Sequence, residues 1–261
     1  MTKTLAILGV LSATALGLHY AGIVDFKPAV NKAAHYAEQA ELVDQKPRVI
    51  IVGLDITAGR EKELEKDRLA IDKLVANLKT GDEMSVYLIH SRAESEQEAV
   101  FSVKMSDQAG PAGQMLAREK KAAQDAWQSC WQANVLPLVQ SDKAQRTDLF
   151  GFMRFVAAQK ADSLSSPHAV LILFTDGQQV GDGFNMEKKA PLSGDLKTAA
   201  RNDFIPDLHG ARLIFVGVTP THGIDNAHWR KIQSFWKEYG EKASAGNVSV
   251  SSERTIALNL K

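Results

Sequence analysis

The sequence predicts an α/β sandwich of three layers, with a mostly parallel central sheet, one antiparallel edge strand, and helices on both faces. Three observations predict it. Short, unbroken apolar runs rich in β-branched residues recur at residues 49–54, 169–174 and 212–218, the pattern of strands buried on both faces. Segments with apolar residues at intervals of three and four lie between such runs, and strands alternating with helices build a parallel sheet. The runs at residues 84–90 and 99–103 are separated by only about eight residues. A parallel crossover needs about a dozen or more, so these two strands are expected to form a hairpin that sets one edge strand antiparallel.

Taken in order, the chain opens with Lys3 and then a stretch, residues 4–24, without Asp, Glu, Lys or Arg. As a helix these residues reach about 30 Å, the thickness of a bilayer core. The most apolar part, residues 5–18, contains Ser12 and Thr14, and Ala13 and Ala15 flank Thr14 as at a small-x-small cleavage site. Residues 1–24 are therefore expected to be a signal peptide or an uncleaved signal-anchor helix. Either places the remainder outside the cytoplasm, membrane-anchored, or secreted or periplasmic after cleavage. Residues 25–46 are polar and Ala-rich and read as a tether ending at Pro47, leaving residues 47–261 as one domain.

Residues 49–54 form the first expected strand. Residues 60–79 follow as an amphipathic helix, with Leu64, Arg68, Ile71, Leu74, Val75 and Leu78 spaced along one side. The charge run from Arg60 to Arg68, Asp67 included, is expected to be its solvated side. Residues 106–146 are Ala- and Gln-rich and mostly helical, punctuated by Pro111, Gly113 and Pro137. Cys130, between Trp127 and Trp131, is expected to be buried, the aromatic stripe otherwise serving as a docking face. A helix over about 149–161 carries Phe152, Phe155 and Val156 on one side, and a helix over about 227–243 places Trp229 and Trp236 toward the sheet. A short strand near 248–250 closes the fold.

Composition narrows function. The 31 Lys+Arg balance the 31 Asp+Glu, so no net field draws the chain to nucleic acid, and one cysteine supports neither an internal disulfide nor a thiolate zinc site. With 44% apolar residues the chain fills a core rather than remaining disordered. His222 and His228, six apart, suit neither helical nor strand metal pairs and are read as capping or solvated.

Chemistry concentrates where expected strands end, since ligands of open parallel sheets bind outside the carboxyl ends of the strands. The first strand runs into Asp55, Thr57 and Gly59; Thr147 precedes the helix at 149; the run at 169–174 leads to Thr175, Asp176 and Gly177. Hard oxygen donors with only one or two carboxylates suit Mg²⁺ or Mn²⁺. The alternative is that Asp55 and Asp176 only cap turns or helices.

With these residues in order, residues 47–250 resemble a von Willebrand factor type A domain. The family's metal-ion-dependent adhesion site has Asp-x-Ser-x-Ser after the first strand, a Thr in a middle loop, and Asp, often followed by Gly, after the fourth. The resemblance implies Asp55, Thr57 and Thr147 as direct ligands, with Asp176 bound directly or through water. Gly59 departs from the pattern, because it offers no oxygen where the family has its second Ser, so weak binding of Mg²⁺ or Mn²⁺ is implied. It also implies a non-enzymatic protein-interaction domain in which a partner's Asp or Glu completes the ion's coordination. The segment 178–195 is then the expected specificity loop, with Gly59, Gly177, Gln178 and Asp182 toward the partner. Two alternatives stand beside this: an assembly subunit with a vestigial metal site, and a phosphoaspartyl-type phosphatase, which resembles Asp-x-Asp where this chain has Thr57.

Overall fold

The computed structural model describes residues 46–57, 59–91, 98–107, 113–139, 146–219 and 225–255. Contacts divide the chain into two units, Met1–Lys46 and Pro47–Lys261. The expected targeting segment and the tether up to residue 45 lie outside the described residues, as does His222.

In chain order, β1 (Val49–Asp55) leads to α1 (Glu61–Ala76), β2 (Glu83–Ile89), β3 (Phe101–Lys104) and α2 (Gln114–Cys130). A π-helical turn (Trp131–Val135), α3 (Leu136–Val139), α4 (Leu149–Gln159), α5 (Ala161–Leu164) and β4 (Ala169–Phe174) follow. The two-residue strands β5 (Val180–Gly181) and β6 (Phe184–Asn185) precede α6 (Asp195–Arg201), β7 (Arg212–Val216), α7 (Asn226–Lys242) and β8 (Asn247–Ser251). Six strands form one sheet in the order β3-β2-β1-β4-β7-β8, parallel throughout except that β3 pairs antiparallel with β2, from Glu83 opposite Lys104 to Val86 opposite Phe101. The expected architecture is the observed one.

Strand alternation sorts the core into two clusters, one on each face. Ile50, Val52 and Leu54 of β1 join Ile172 and Phe174 of β4 under Leu64, Ile71 and Val75 of α1 and Trp127 and Trp131. Ile51, Leu171 and Leu173 face the other way, toward Phe150, Phe152 and Phe155 of α4 and Trp236 and Tyr239 of α7. The Trp127–Trp131 pair therefore belongs to the core. Its rings meet edge to face 5.8 Å apart, and the Cys130 thiol donates to the Val100 carbonyl at 3.0 Å. Helix α4 comes so close to β1 that a Cβ on Gly53 would lie 2.6 Å from Phe152, which explains a glycine inside a buried strand.

A proline ring inside a helix strikes the carbonyl four residues earlier. For Pro137 that carbonyl belongs to Ala133, inside the widened π-helical turn. The segment 178–195, which lacks periodicity in the sequence, contains the β5–β6 hairpin and ends at the start of α6.

The chain leaves β1 toward β2 on one side, and β4 takes the place on β1's other side. Strand order thus reverses between β1 and β4, and their carboxyl ends flank the crevice such a reversal opens. Asp55 is the last residue of β1, and Thr175 and Asp176 follow β4 directly.

Candidate functional site

Asp55 is fully buried at the end of β1, and both of its oxygens are engaged. Oδ1 accepts from the Thr57 amide (3.1 Å) and the Thr57 hydroxyl (2.7 Å); Oδ2 accepts from the Thr175 hydroxyl (2.7 Å). The Thr147 hydroxyl lies 2.9 Å from that of Thr57 and 3.5 Å from each Asp55 oxygen. Residues 92 positions apart are thereby brought to one point. The loop after β4 holds Thr147 there: the Val180 amide donates to the Thr147 carbonyl at 3.0 Å. Buried Gln179 completes the clasp, its Oε1 accepting from the Leu149 and Phe150 amides at 2.7 and 3.2 Å at the N-terminus of α4. Asp148 caps the same helix through the Gly151 amide at 2.9 Å.

Asp176 sits on the β4 side of the crevice. Its Oδ1 accepts from the Gln178 amide and its Oδ2 from the Gln178 side-chain amide, both at 2.9 Å. Burial pushes this carboxyl up to about 6; Arg60 pulls it down and Asp55 pushes it further up. Asp55 and Asp176 each accept from the amide two residues ahead, so the turn-capping role expected as the alternative is also fulfilled.

The largest departure from the sequence reading is Arg60. It was expected on the solvated side of the first helix, yet it is 5% exposed. Its Nη1 donates to the carbonyls of Asp55 (2.6 Å) and Phe174 (3.2 Å), the last residues of β1 and β4, and lies 3.4 Å from Asp55 Oδ2. Nη2 donates to Asp67 Oδ2 at 2.9 Å. Asp67, also expected to be solvated, has no exposed surface and accepts from Arg254 Nε at 2.5 Å, while Arg254 Nη2 reaches Glu63 at 2.8 Å. Burial alone would lower the Arg60 pKa, but Asp55, Asp67, Asp176 and Glu63 hold it above the usual arginine value, so it stays charged. The helical spacing held the signal, because Asp67 stands three after Leu64 and four before Ile71, on the apolar side. Arg68, placed on that side from sequence, instead pairs with Glu65 at 2.6 Å.

The residues expected to face a partner divide. Gly59 is exposed with φ +87°, a conformation that disfavours any side chain, so the family's serine at this position would strain the turn. Asp182 is 39% exposed, at φ 52°, and approaches Arg154 at 4.0 Å. Gly177 and Gln178 are buried: the Gly177 carbonyl accepts from the Trp236 indole at 2.7 Å, and Gln178 is turned toward Asp176. These two support the crevice from within. The Trp229 indole donates to the Val218 carbonyl at 2.8 Å just past β7, and the His228 amide donates to Asp225, the N-cap of α7, while its ring meets the Met186 carbonyl.

No family model matches the chain, and no curated protein matches it. Solved structures similar to it include proximal thread matrix protein 1 from the mussel byssus, at 14% identity and TM-score 0.38 over 82% of this chain and 46% of that one. The pilus adhesin SpaC from Lactobacillus rhamnosus GG matches at 13% identity and TM-score 0.44, over 83% and 29%. A von Willebrand factor type A protein from Catenulispora acidiphila matches at 14% and 0.39, over 82% and 41%. The chain spans less than half the length of each of these proteins.

The donor set can be tested against an ion of magnesium's size. At about 2.1 Å from the metal, adjacent ligands of an octahedron lie about 2.9 Å apart. Asp55 Oδ1, Thr57 Oγ1 and Thr147 Oγ1 are separated by 2.7, 2.9 and 3.5 Å: two edges match an octahedral face, and the third closes to it with a shift of about half an ångström in Thr147. Among the described residues no group of three or more His, Cys, Asp or Glu converges; the oxygens gathered here are one carboxylate and the hydroxyls of Thr57 and Thr147, hard donors of the kind magnesium takes. The oxygens fit; the charge beside them is already partly offset by Arg60. Besides Arg60, the sequence reading did not single out the role of Gln179, for which no local pattern gives a signal.

Proposed function

We propose that this domain is a non-enzymatic protein-recognition module whose site is the crevice at the carboxyl ends of β1 and β4. The observation that carries the reading is the convergence of Asp55 Oδ1, Thr57 Oγ1 and Thr147 Oγ1 at separations of 2.7, 2.9 and 3.5 Å. Asp55, Thr57 and Thr147 would hold Mg²⁺ or Mn²⁺, with Asp176 close by or bound through water. A bound ion supplies a positive centre with an open position for a partner's Asp or Glu carboxylate. The chain's part is to fix its oxygens before binding: Thr175 and Arg60 anchor one side of Asp55, and Gln179 and Val180 anchor the Thr147 segment. Exposed Gly59 and Asp182 are then the rim toward the partner.

The reading places the domain outside the cytoplasm through residues 4–24, as a membrane anchor or a cleaved signal. Among the described residues no helix is long and apolar enough to cross a membrane, so the segment itself must be tested. Membrane fractionation with protease accessibility of the full chain does so; a protease-protected cytosolic protein would refute export.

A metal-independent assembly role is favoured by one observation, that both Asp55 oxygens already have protein partners. Asp55→Ala separates the two. The recognition reading expects Mn²⁺ binding by calorimetry to vanish and native membrane partners to be lost in pull-down; the assembly reading expects partner capture unchanged.

A further inference from the structure

We infer that Arg60 is a resident cation of the oxygen site, compensating Asp55 without a metal and thereby holding the site's affinity for divalent ions low. The inference rests on the reading that the Asp55 site accepts such an ion.

Four features point the same way. First, the guanidinium is buried within the crevice wall, bound to the terminal carbonyls of the two strands that flank the crevice, Asp55 at 2.6 Å and Phe174 at 3.2 Å. Second, its Nη1 lies 3.4 Å from Asp55 Oδ2, the side of the carboxylate turned away from Thr57. Third, Asp67 clamps it from behind at 2.9 Å and is itself clamped by Arg254 at 2.5 Å, so the cation cannot swing out without breaking a buried chain of charges. Fourth, Asp55, Asp67, Asp176 and Glu63 surround the guanidinium and hold it charged despite its burial.

Gly59 and Arg60 act together. The left-handed turn at Gly59 removes an oxygen from the rim, and the next residue sends a fixed positive charge to the site's inner side. The rim thus lacks a side-chain oxygen at position 59, and the inner side carries a cation at position 60. A second cation arriving at Asp55 Oδ1 meets Arg60 across the width of one carboxylate, in a wall where charges are poorly screened, and the repulsion of +2 by +1 there lowers affinity by more than about tenfold. Arg60 touches neither ion nor partner; it is a positioning residue that acts through Asp55.

The test is calorimetric titration of the full chain with Mn²⁺ and Mg²⁺. For wild type a Kd weaker than about 0.1 mM is expected, in the range of weak extracellular cation sites. Arg60→Gln, neutral and polar, is expected to bind at least about tenfold more tightly, and Arg60→Lys, which keeps the charge, to stay within about threefold of wild type. A merely structural role would not make the neutral variant bind better while the charged one does not. Equal affinity of Arg60→Gln and wild type overturns the inference and leaves the metal reading standing. If neither binds either ion at about 10 mM, the metal reading fails and this inference with it. Should Arg60→Gln lose its native circular dichroism, Arg60→Met, neutral and of similar length, is titrated in its place: affinity equal to wild type overturns the inference, and binding at least about tenfold tighter supports it.

Discussion

Asp67→Ala tests the buried chain of charges directly, without reference to any ligand. Asp67 has no exposed surface and sits between two guanidinium groups, Arg60 at 5% and Arg254 at 15% exposure, with hydrogen bonds of 2.9 and 2.5 Å. Removing one member of a buried ion pair costs about 3–5 kcal/mol, because the other charge stays desolvated and uncompensated. Here both cations retain something. Arg254 keeps Glu63 at 2.8 Å and some contact with water, and Arg60 keeps Asp55 and two carbonyls. The lower end, about 3 kcal/mol, is therefore expected. With a urea m-value of about 2 kcal/mol/M, the unfolding midpoint falls by about 1.5 M at unchanged slope. Arg254→Ala, which leaves the Arg60–Asp67 bond in place, costs less, and the double variant costs less than the sum because both changes break the same contact. A loss below about 1 kcal/mol in Asp67→Ala would mean that the network is solvated and that Arg60 is not held as described.

Two further outcomes follow from the site's geometry. In EDTA the Asp176 carboxyl titrates near 6, above its ordinary 3.8, so between those values the folded chain holds more protons than the unfolded chain. This group's contribution to stability is therefore full below about pH 4 and is lost as pH rises through about 6, by up to about 3 kcal/mol. Asp176→Asn removes that slope, and chemical denaturation of both proteins across pH 4–7 reads the difference; parallel profiles would refute the desolvation of the partly buried Asp176 carboxyl. Gln179→Ala strips the Leu149 and Phe150 amides of their buried acceptor and is expected to cost about 1–3 kcal/mol, a Tm fall of about 4 °C by scanning calorimetry. An unchanged Tm would show that water replaces the clasp.

The sheet was legible because its signals are local and redundant. Six successive buried residues from Ala169 to Phe174 leave little choice but a central strand, and the short link from β2 to β3 dictates their antiparallel pairing. Asp55, Thr57 and Thr147 were legible for a related reason: each lies at the boundary of an element whose position periodicity fixes. Arg60 and Asp67 were not, because charge was taken as a sign of solvation. The helix's own spacing put Asp67 on the inner side, but a charged residue there makes sense only once its partner across the fold, Arg254, is known to lie 187 positions away. Gln178 and Gln179 show the same limit. Their sequence neighbourhood is that of an exposed loop, and only the return of that loop onto Thr147 and α4 makes them interior.

The four groups around Asp55 are not equivalent, and the difference bears on how the site can work. Thr57 approaches Oδ1 through its hydroxyl, and the Thr147 hydroxyl sits beside it, 3.5 Å from either oxygen; the protons of both turn at little cost and their oxygens then become donors to a cation. Thr175 and Arg60 approach Oδ2; Thr175 also accepts the Gly177 amide at 3.0 Å, and Arg60 is fixed by Asp67 and two strand-end carbonyls. Oδ2 is thus committed to the protein, whereas Oδ1 is held by the fixed Thr57 amide and by a hydroxyl that can reverse its polarity. An ion joining on the Oδ1 side needs hydroxyl rotations but no rearrangement of the backbone. Its opposition comes from the one neighbour that cannot turn away, which is why substitution at Arg60 separates the charge of this site from its shape.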